Sequence, residues 1–358
     1  MPSRDFSQNP FIVIWETTRA CQLACRHCRA SALRHRDPKE LNLQEVTHLI
    51  IAQLTEMDYP LFVLTGGDPM ERDDLVDIVR HARVAGLRPS ITPSATPKVT
   101  YDAMRKLKDA GLENWAFSLD GSHADIHDRF RGIRGTFDLT MEKIDYLHQL
   151  NIPLQINTTV SQYNVDDLPA LAEVVRKLGA FRWSVFFLVP TGRARVEDLL
   201  SPVRQESILE WLVSLEQNVP FDIKTTEAPQ YYRILAQNGS VRASTAGAPV
   251  RSKVPVWDGN GFLFVSHTGE VYPSGFLPLS VGNVRTTPLS QLYRESPVLQ
   301  ALRDPNRFKG KCGYCEFNRQ CAGSRARAWT ITGDYLESDP FCPYIPDPRR
   351  KRRISHDI

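Results

Sequence analysis

The chain has 358 residues, of which 42% are apolar and 24% are charged, and its net charge is +3. This composition is typical of folded globular proteins and excludes extensive disorder, while so small a net charge gives no support to nucleic-acid binding. No apolar run reaches the roughly 20 residues of a membrane span and the N-terminal residues lack an apolar signal core, which predicts a cytoplasmic protein.

Strand and helix patterns alternate along the first 217 residues. The predicted strands, rich in apolar residues, cover 11–17, 60–66, 88–94, 114–120, 153–159 and 182–189. The predicted helices cover 42–57, 71–85, 99–110, 137–150, 165–179 and 200–217. Near-continuous apolar strands separated by helices indicate a parallel sheet with right-handed crossovers. Six such units are too few for a closed eight-fold barrel, so we predict an α/β fold built on an open, partial (β/α)6 barrel like part of a TIM barrel.

The first predicted helix, 42–57, has an apolar face and a capping signal at its start. Val46, Leu49, Ile50 and Leu54 recur at the spacing of one helical face. Asn42 followed by Glu45 is typical of a capping box, in which each residue satisfies a backbone N–H of the other. We therefore expect the helix to begin directly after Asn42.

The loop after the first strand contains Cys21, Cys25 and Cys28 in a C-x3-C-x2-C spacing. In a reducing compartment, such cysteines serve metals or catalysis more often than disulfides. Zinc would need a fourth ligand, and His27 is poorly placed for that role between two ligating cysteines. A four-iron, four-sulfur cluster would leave one iron open to a chelating amine and carboxylate, groups that S-adenosylmethionine carries.

This spacing resembles the signature of the radical S-adenosylmethionine (radical SAM) enzymes. The resemblance implies that the three cysteines are the catalytic ligands of a [4Fe-4S] cluster. It also implies that an electron from the reduced cluster cleaves S-adenosylmethionine and releases a 5′-deoxyadenosyl radical. The partial barrel is expected on the same ground, with the reactive groups at the carboxyl ends of the strands, where the cysteine loop begins.

The second predicted strand ends in "TGGDPM", residues 65–70. Gly66 and Gly67 have two possible roles: they turn the chain ahead of Pro69, or they form the motif whose backbone receives the amino group of S-adenosylmethionine, as the resemblance implies. Asp68 stands where the family more often has glutamate, so the acid of the motif is shorter here.

Later strand ends supply further candidates for binding the cofactor. Ser94 lies in a loop with other hydroxyls, which are often ordinary loop residues. Ser118 and Asp120 alternate along the fourth predicted strand, so we expect them on one face. The resemblance places a serine at this strand end near the methionine carboxylate or the ribose of the cofactor.

Three more residues enter through the resemblance. Arg131 either pairs with the cofactor carboxylate or is an ordinary surface residue of a helix. Asn157 is expected by the ribose, and Val189 at the adenine edge. Arg193, in "VPTGRA", is expected to face the cofactor or the substrate.

A different pattern begins near residue 226. Residues 261–277 predict a hairpin that turns at "HTGE", with Gly269 in the turn, and residues 296–304 predict a short helix. The remaining four cysteines follow in a C-x2-C-x5-C-x20-C spacing, as Cys312, Cys315, Cys321 and Cys342. Four thiolates suit either zinc or a second [4Fe-4S] cluster.

This C-terminal part resembles the auxiliary-cluster module of radical SAM enzymes in its short, twitch/SPASM-like form. The resemblance implies one closed auxiliary cluster that accepts an electron, because Ser274 stands where a further cysteine is usual. We accordingly predict a radical SAM core at 1–225, the auxiliary domain at 226–348 and a basic tail at 349–358.

Three stretches, 15–32, 271–285 and 312–328, resemble the subgroup that contains the alternative-pathway haem synthase. This resemblance implies oxidative decarboxylation of tetrapyrrole propionates to vinyl groups. Ser324 stands where the haem synthase prefers cysteine. Arg193, Arg325 and Arg327 are candidate anchors for the propionates, and His267 is a candidate ligand of the tetrapyrrole iron. Trp257, Phe276 and Trp329 are candidates to cover the macrocycle, although packing in the core would explain them equally well.

Two other functions stay open. A peptide-modifying radical SAM enzyme would often have a leader-binding domain, and only 20 residues precede Cys21. A non-catalytic iron–sulfur or zinc protein would not need the polar strand ends. The expected partners are an electron donor such as ferredoxin or flavodoxin and a tetrapyrrole or peptide substrate.

Overall fold

The computed structural model describes residues 5–239 and 256–347. Among these residues, ten strands form one open sheet in the order β10-β9-β8-β1-β2-β3-β4-β5-β6-β7. The strands are β1 (Ile12–Glu16), β2 (Leu61–Thr65), β3 (Arg88–Ile91), β4 (Asn114–Ser118), β5 (Leu154–Val160), β6 (Arg182–Phe187), β7 (Asp222–Thr226), β8 (Phe262–Val265), β9 (Glu270–Tyr272) and β10 (Gly282–Asn283). Strands β1 to β7 pair in parallel, which confirms the predicted partial barrel.

Helices connect the strands and continue through the C-terminal part. They are α1 (Leu43–Glu45), α2 (Ala52–Glu56), α3 (Leu75–Val84), α4 (Tyr101–Asp109), α5 (Ala124–Arg131), α6 (Thr136–Gln149), α7 (Leu168–Lys177), α8 (Pro202–Glu216), α9 (Gln230–Gln237), α10 (Leu289–Glu295), α11 (Pro297–Arg303), α12 (Gly310–Tyr314) and α13 (Arg325–Thr332). A π-helical segment, Val46–Ile51, joins α1 to α2. In the part of the chain that the structure describes, no helix combines the length and apolar character needed to cross a membrane.

The first predicted helix is confirmed together with its start. The side chain of Asn42 accepts a hydrogen bond from the backbone N–H of Glu45 at 3.0 Å, and the Glu45 carboxylate accepts one from the N–H of Asn42 at 2.9 Å. Val46, Ile50 and Leu54 are fully buried against the sheet. The capping box and the apolar face therefore both act as the sequence predicts.

The largest differences between the predicted and the observed strands are at β3 and β7. Strand β3 ends at Ile91 rather than residue 94, because Pro93 has no N–H to donate to a neighbouring strand. Strand β7 was not predicted at all, since Asp222 and Lys224 interrupt its apolar pattern. It pairs in parallel with β6, so tertiary contact with the preceding strand overrides its polar composition.

The predicted hairpin at 261–277 is present as β8 and β9, and Gly269 turns it with a φ of +89°. This hairpin extends the barrel sheet, because β8 pairs in parallel with β1. The domain division predicted near residue 225 falls at the end of β7 and stays a prediction. The basic tail at 349–358 lies outside the described residues.

The two faces of the parallel sheet differ in burial. On β2, Phe62 and Leu64 are fully buried against the helices, whereas Leu61, Val63 and Thr65 are only half-buried. We call the second face, which points away from the helices, the inner face. Because side chains alternate along a strand, every second residue of β1 to β7 contributes to it. The inner face and the adjoining carboxyl ends of the strands are where a binding site is expected.

Candidate active site

The cysteine loop leaves β1 at the carboxyl edge of the sheet and returns to α1. Cys21 and Cys25 are buried and Cys28 is half-buried. Two backbone N–H groups donate to the sulfur atoms, from Leu23 to Cys21 at 3.3 Å and from Ala32 to Cys28 at 3.4 Å. Such N–H···S contacts stabilise negative charge on sulfur, as a thiolate ligand requires.

Burial also affects the protonation of these thiols. It raises the pKa of Cys21 to about 11, and it raises the pKa of Cys25, although the nearby Arg131 guanidinium opposes the shift. Two neutral thiols are therefore expected at neutral pH when no cation is bound. A metal or cluster must displace their protons, so that binding and deprotonation are coupled.

Gly66 and Gly67 pack directly on the backbone of the cysteine loop. A Cβ atom on Gly66 would lie 2.5 Å from the Thr18 carbonyl oxygen, and one on Gly67 would lie 2.3 Å from that of Ala20. The N–H of Gly67 donates to the Thr18 carbonyl at 2.7 Å. Close backbone approach therefore explains both glycines, and they fix the loop against the end of β2.

Asp68 is fully buried beside this contact. Its carboxylate accepts from the N–H of Met70 and from the hydroxyl of Thr96, each at 3.1 Å. Burial raises the pKa of Asp68 to about 7. The short acid therefore stabilises the turn that follows β2 and the loop that follows β3.

Ser94 and Arg131 both approach the cysteines. The Ser94 hydroxyl lies 3.7 Å from the Cys21 sulfur, and Nη1 of Arg131 lies 3.8 Å from the Cys25 sulfur. Arg131 is 9% exposed and pairs with Asp120 at 2.6 Å, so its interpretation as a surface helix residue is wrong. The guanidinium instead places a positive charge beside the predicted cluster.

Asp120 lies two residues beyond the end of β4. Its carboxylate accepts from the N–H of Thr159 at 2.8 Å and pairs with Arg131. Strand β4 ends at Ser118, so the expectation that Asp120 shares a face with Ser118 stays a prediction. Ser118 and Asn157 do share the inner face, as register partners on β4 and β5.

His27 is half-buried in the middle of the loop. Its ring stacks on Phe130 with the centroids 4.2 Å apart, and burial lowers the pKa of the imidazole well below its usual value. A neutral, stacked ring suits packing within the loop. Within residues 5–239 and 256–347, no group of three or more His, Cys, Asp or Glu side chains is arranged to hold a single metal ion.

The loop after β6 packs on the cysteine loop from the other side. Arg193 donates from Nε to the Cys25 carbonyl at 2.9 Å and from its backbone N–H to the Cys28 carbonyl at 3.1 Å. Gly192 has a φ of +62°, and a Cβ there would lie 2.3 Å from the Cys28 carbonyl oxygen. Val189 is buried, and its carbonyl accepts from the N–H of Thr191. Arg193 thus restrains the cysteine loop.

A cavity of about 690 Å³ opens next to Cys25. The guanidinium of Arg26 stands over the ring of Tyr163 on its border, 5.4 Å from the centroid. The lining residues are Ala24, Cys25, Arg26, Tyr163, Gly192, Arg193, Ala194, Arg195, Glu197 and Asp198. The predicted cluster therefore lies next to open space bordered by three arginines.

The four C-terminal cysteines border a second cavity, of about 20 Å³. Burial raises the pKa of Cys315 and of Cys342 to about 11, and that of Cys321 well above its usual value. The backbone N–H of Phe317 donates to the Cys315 sulfur at 3.4 Å. The structure thus brings together thiols that are up to 30 residues apart in sequence.

Two arginines expected to anchor propionates are fully buried. Arg325 donates to the carbonyls of Tyr335 and Glu337 and approaches the Cys312 sulfur at 3.6 Å. Arg327 pairs with Asp339 at 3.1 Å. The expectation is wrong for both, because their guanidinium groups are buried and contact internal partners.

His267 and the candidate aromatic residues also have internal partners. His267 is 7% exposed, and its Nδ1 lies 2.8 Å from the Glu16 carboxylate, so it joins an ion-pair network. Trp257 donates to the Leu302 carbonyl at 2.9 Å, and Trp329 packs on the core. Phe276 lies 6.4 Å from Phe186 of the inner face.

Sequence reasoning missed the contacts that join the cysteine loop to the C-terminal part. Arg29 pairs with Glu16 at 2.9 Å, and its guanidinium lies over the Phe264 ring at 4.6 Å. Glu16 was a signal for such contacts, because it is an acid at the end of an otherwise apolar strand. The sequence could not indicate the contact between Arg29 and Phe264, since the two residues are more than 200 positions apart.

Comparisons with known proteins agree with this architecture. Residues 15–175 match the family described as the Radical SAM superfamily. An AdoMet-dependent heme synthase of Methanosarcina barkeri is 39% identical over 342 residues, which cover 94% of this chain and 97% of that protein. An AdoMet-dependent heme synthase of Oleidesulfovibrio alaskensis is 38% identical over 350 residues, covering 95% and 88% respectively.

The fold is also shared with a solved structure, that of SuiB of Streptococcus suis bound to S-adenosylmethionine. The TM-score is 0.72 and the identity 13%, and the match covers 94% of this chain and 78% of that one. Identity this low shows the fold alone, whereas the two heme synthases match at family level over almost the whole chain. The chain is therefore a radical SAM enzyme, a member of the Radical SAM superfamily in the same family as these heme synthases.

Proposed function

We propose that the enzyme oxidatively decarboxylates propionate side chains of a tetrapyrrole, with a [4Fe-4S] cluster held by Cys21, Cys25 and Cys28. The observation that carries the substrate class is the 39% identity, over nearly the full length of both chains, to an AdoMet-dependent heme synthase. When bound, the cluster and S-adenosylmethionine supply a 5′-deoxyadenosyl radical.

The donor set fits a cubane with one open iron. Three thiols stand on one short loop, and two of their sulfur atoms already accept backbone N–H groups. The positive charge of Arg131 offsets thiolate charge beside Cys25, and Arg193 holds the loop by two carbonyl groups. These residues keep the ligands in place and stabilise their charged form.

The remaining cofactor contacts are proposals from the family resemblance. In these, the backbone of Gly66, Gly67 and Asp68 receives the amino group of S-adenosylmethionine, while Ser94 and Ser118 lie along its methionine end. Asn157 and Val189 bind its ribose and adenine. Position supports most of these roles, because Ser94 lies near Cys21, and Ser118 and Asn157 share the inner face.

For the C-terminal cysteines we propose a second [4Fe-4S] cluster rather than zinc. Support comes from the resemblance of the C-terminal part to the auxiliary-cluster module of radical SAM enzymes, and from the four cysteines gathered around one cavity. Removal of a hydrogen atom and carbon dioxide from a propionate leaves one electron, which a closed cluster can accept. Metal analysis distinguishes the two cases: two clusters require eight irons per chain, whereas four irons with one zinc would contradict the proposal.

We also propose that an acidic redox protein, such as ferredoxin or flavodoxin, docks at the rim of the cavity beside Cys25. Arg26, Arg134 and Arg195 are exposed there or on the adjoining segment after α5. Replacing Arg26 and Arg195 by Gln is expected to slow reduction by the protein donor at low salt, while dithionite still reduces the cluster at the normal rate. Equal rates with the protein donor would contradict this surface.

The function is tested by anaerobic incubation with iron-coproporphyrin III, S-adenosylmethionine and a reductant, followed by mass spectrometry. A loss of about 46 mass units per propionate, equal to carbon dioxide plus two hydrogens, is expected. The Cys25→Ala variant should form neither this product nor 5′-deoxyadenosine. An unchanged tetrapyrrole together with normal formation of 5′-deoxyadenosine would overturn the substrate and favour a peptide or another small molecule.

A further inference from the structure

A row of polar side chains crosses four strands of the sheet. Ser118 pairs in register with Asn157, Asn157 with Ser184, and Ser184 with Lys224. Register partners in a parallel sheet point to the same face. The row therefore ends in a lysine on β7, the strand that the sequence did not predict.

The neighbours of this row identify its face. Trp183 is fully buried and meets Trp211 of α8 edge-on at 6.3 Å, so it points to the helices. Ser184 and its partner Lys224 must then point to the inner face. On that face Phe186 approaches Phe276, a residue of the C-terminal part, at 6.4 Å. Lys224 thus lies on the inner side of the sheet, where the C-terminal part meets β6.

The side chain of Lys224 has no hydrogen bond or ion pair with any residue that the structure describes. The acid on the same face of β7, Asp222, pairs with Arg182 at 3.3 Å. Burial lowers the pKa of Lys224 to about 8, and the charge of Arg182 contributes. A half-buried ammonium without an anion is costly, and a carboxylate would compensate its charge.

A second donor lies on the same face of the same strand. Thr226 is two residues further along β7, and its hydroxyl is buried without a hydrogen-bond partner among the described residues. Alternation along the strand places the two side chains next to each other. An ammonium and a hydroxyl at this spacing suit the two oxygens of one carboxylate.

We propose that Lys224 and Thr226 form the anchor for a carboxylate of the substrate on the inner face. The proposal rests on the proposed function. In it, Lys224 takes the place of the buried Arg325 and Arg327 as the source of positive charge for a propionate. Strand β7 lies six strands from β1, whose loop carries the cysteines, so the pair serves the substrate and not the methionine end of the cofactor. Adjacent strands are about 4.8 Å apart, which places Lys224 roughly 10 Å around the sheet from Asn157.

Binding of iron-coproporphyrin III to the full-length, cluster-loaded protein tests the pair. We expect Lys224→Met to weaken binding at least about tenfold and Lys224→Arg to retain most of it, because charged hydrogen bonds contribute most. Thr226→Val should weaken binding less. Lys177→Met, at an exposed lysine on α7, is the matched control and should bind as the unchanged protein does.

Substrate-free formation of 5′-deoxyadenosine and eight irons per chain show that each variant is folded and loaded. Normal affinity of a folded Lys224→Met protein, where the unchanged protein binds and converts the tetrapyrrole, would overturn the anchor alone. Failure of the unchanged protein to bind or convert the tetrapyrrole would overturn the proposed function, and the anchor with it.

Discussion

At the scale of single residues, glycines determine how closely the loops can approach the cysteines. Gly66, Gly67 and Gly192 each lie within contact distance of a carbonyl group of the loop at 17–42, and a Cβ atom at any of them would overlap an oxygen. These residues come from two different strand ends, after β2 and after β6. The cysteine loop is therefore held between two backbone segments that can approach only because they lack side chains.

Replacing Gly192 by Ala should displace the cysteine loop. The new Cβ would lie 2.3 Å from the Cys28 carbonyl oxygen, and the φ of +62° adds about 1–2 kcal/mol of backbone strain. We expect iron content to fall from eight towards four per chain, as measured by iron analysis and absorption spectroscopy.

Gly179→Ala is the matched control for this prediction, because Gly179 has nearly the same φ of +63° and open space around its Cα. It should incur only the backbone strain and keep its full iron content. Equal iron loss in the two variants would show that backbone strain, and not contact with the loop, is responsible.

At the scale of secondary-structure elements, one buried carboxylate joins three segments of the C-terminal part. Asp339 accepts from Gln230 of α9 at 2.6 Å and from the N–H of Ser324, next to α13, at 2.8 Å, and it pairs with Arg327. The same residue precedes Cys342 by three positions. It therefore fixes the last cysteine relative to the segment that contains Cys321.

The Asp339→Asn variant should lose the proposed second cluster and keep the first. Breaking a fully buried ion pair costs about 3–5 kcal/mol, since the Arg327 charge would remain without its partner. Iron analysis should give about four irons per chain, and reductive cleavage of S-adenosylmethionine should continue.

The control is Asp334→Asn, which removes a solvent-accessible ion pair with Lys309 that is expected to contribute little to stability. That variant should retain eight irons. A full iron content in Asp339→Asn would contradict the role given to this carboxylate.

At the scale of the whole molecule, strand pairing and side-chain contacts join the C-terminal part to the barrel. Strand β8 continues the sheet beside β1, and Glu16 at the end of β1 contacts both Arg29 of the cysteine loop and His267 of the hairpin. Without β8, the barrel sheet would end at β1 in an unpaired edge strand. Strand β8 covers that edge. The two cysteine groups are thereby fixed in one framework, as electron transfer between them would require.

Removing the second cluster should separate the two halves of the proposed reaction. A Cys321→Ser variant is expected to form 5′-deoxyadenosine with the first cluster while vinyl product falls by about 100-fold or more, because the electron left by decarboxylation has no acceptor. Liquid chromatography with mass detection measures both products in one sample. Full product formation by this variant would contradict the role of the second cluster as electron acceptor. The Cys25→Ala variant should form neither product.

The sequence by itself determined the two cysteine groups and most of the framework. Cysteine spacing, the capping box at Asn42 and the apolar strands are local patterns, and local patterns are set by covalent neighbours and by the periodicity of helices and strands. The six predicted strands and the hairpin at β8 and β9 are all present for this reason.

Tertiary structure alone decided which charged groups are available. Arg325 and Lys224 look equally suitable in the sequence, yet the first is buried among carbonyls and the second faces the inner side of the sheet without an ion-pair partner among the described residues. Likewise, the polar segment β7 forms a strand because it pairs with the edge of β6. The physical reason is that a charge is neutralised, and a strand is paired, by neighbours that lie far away in sequence.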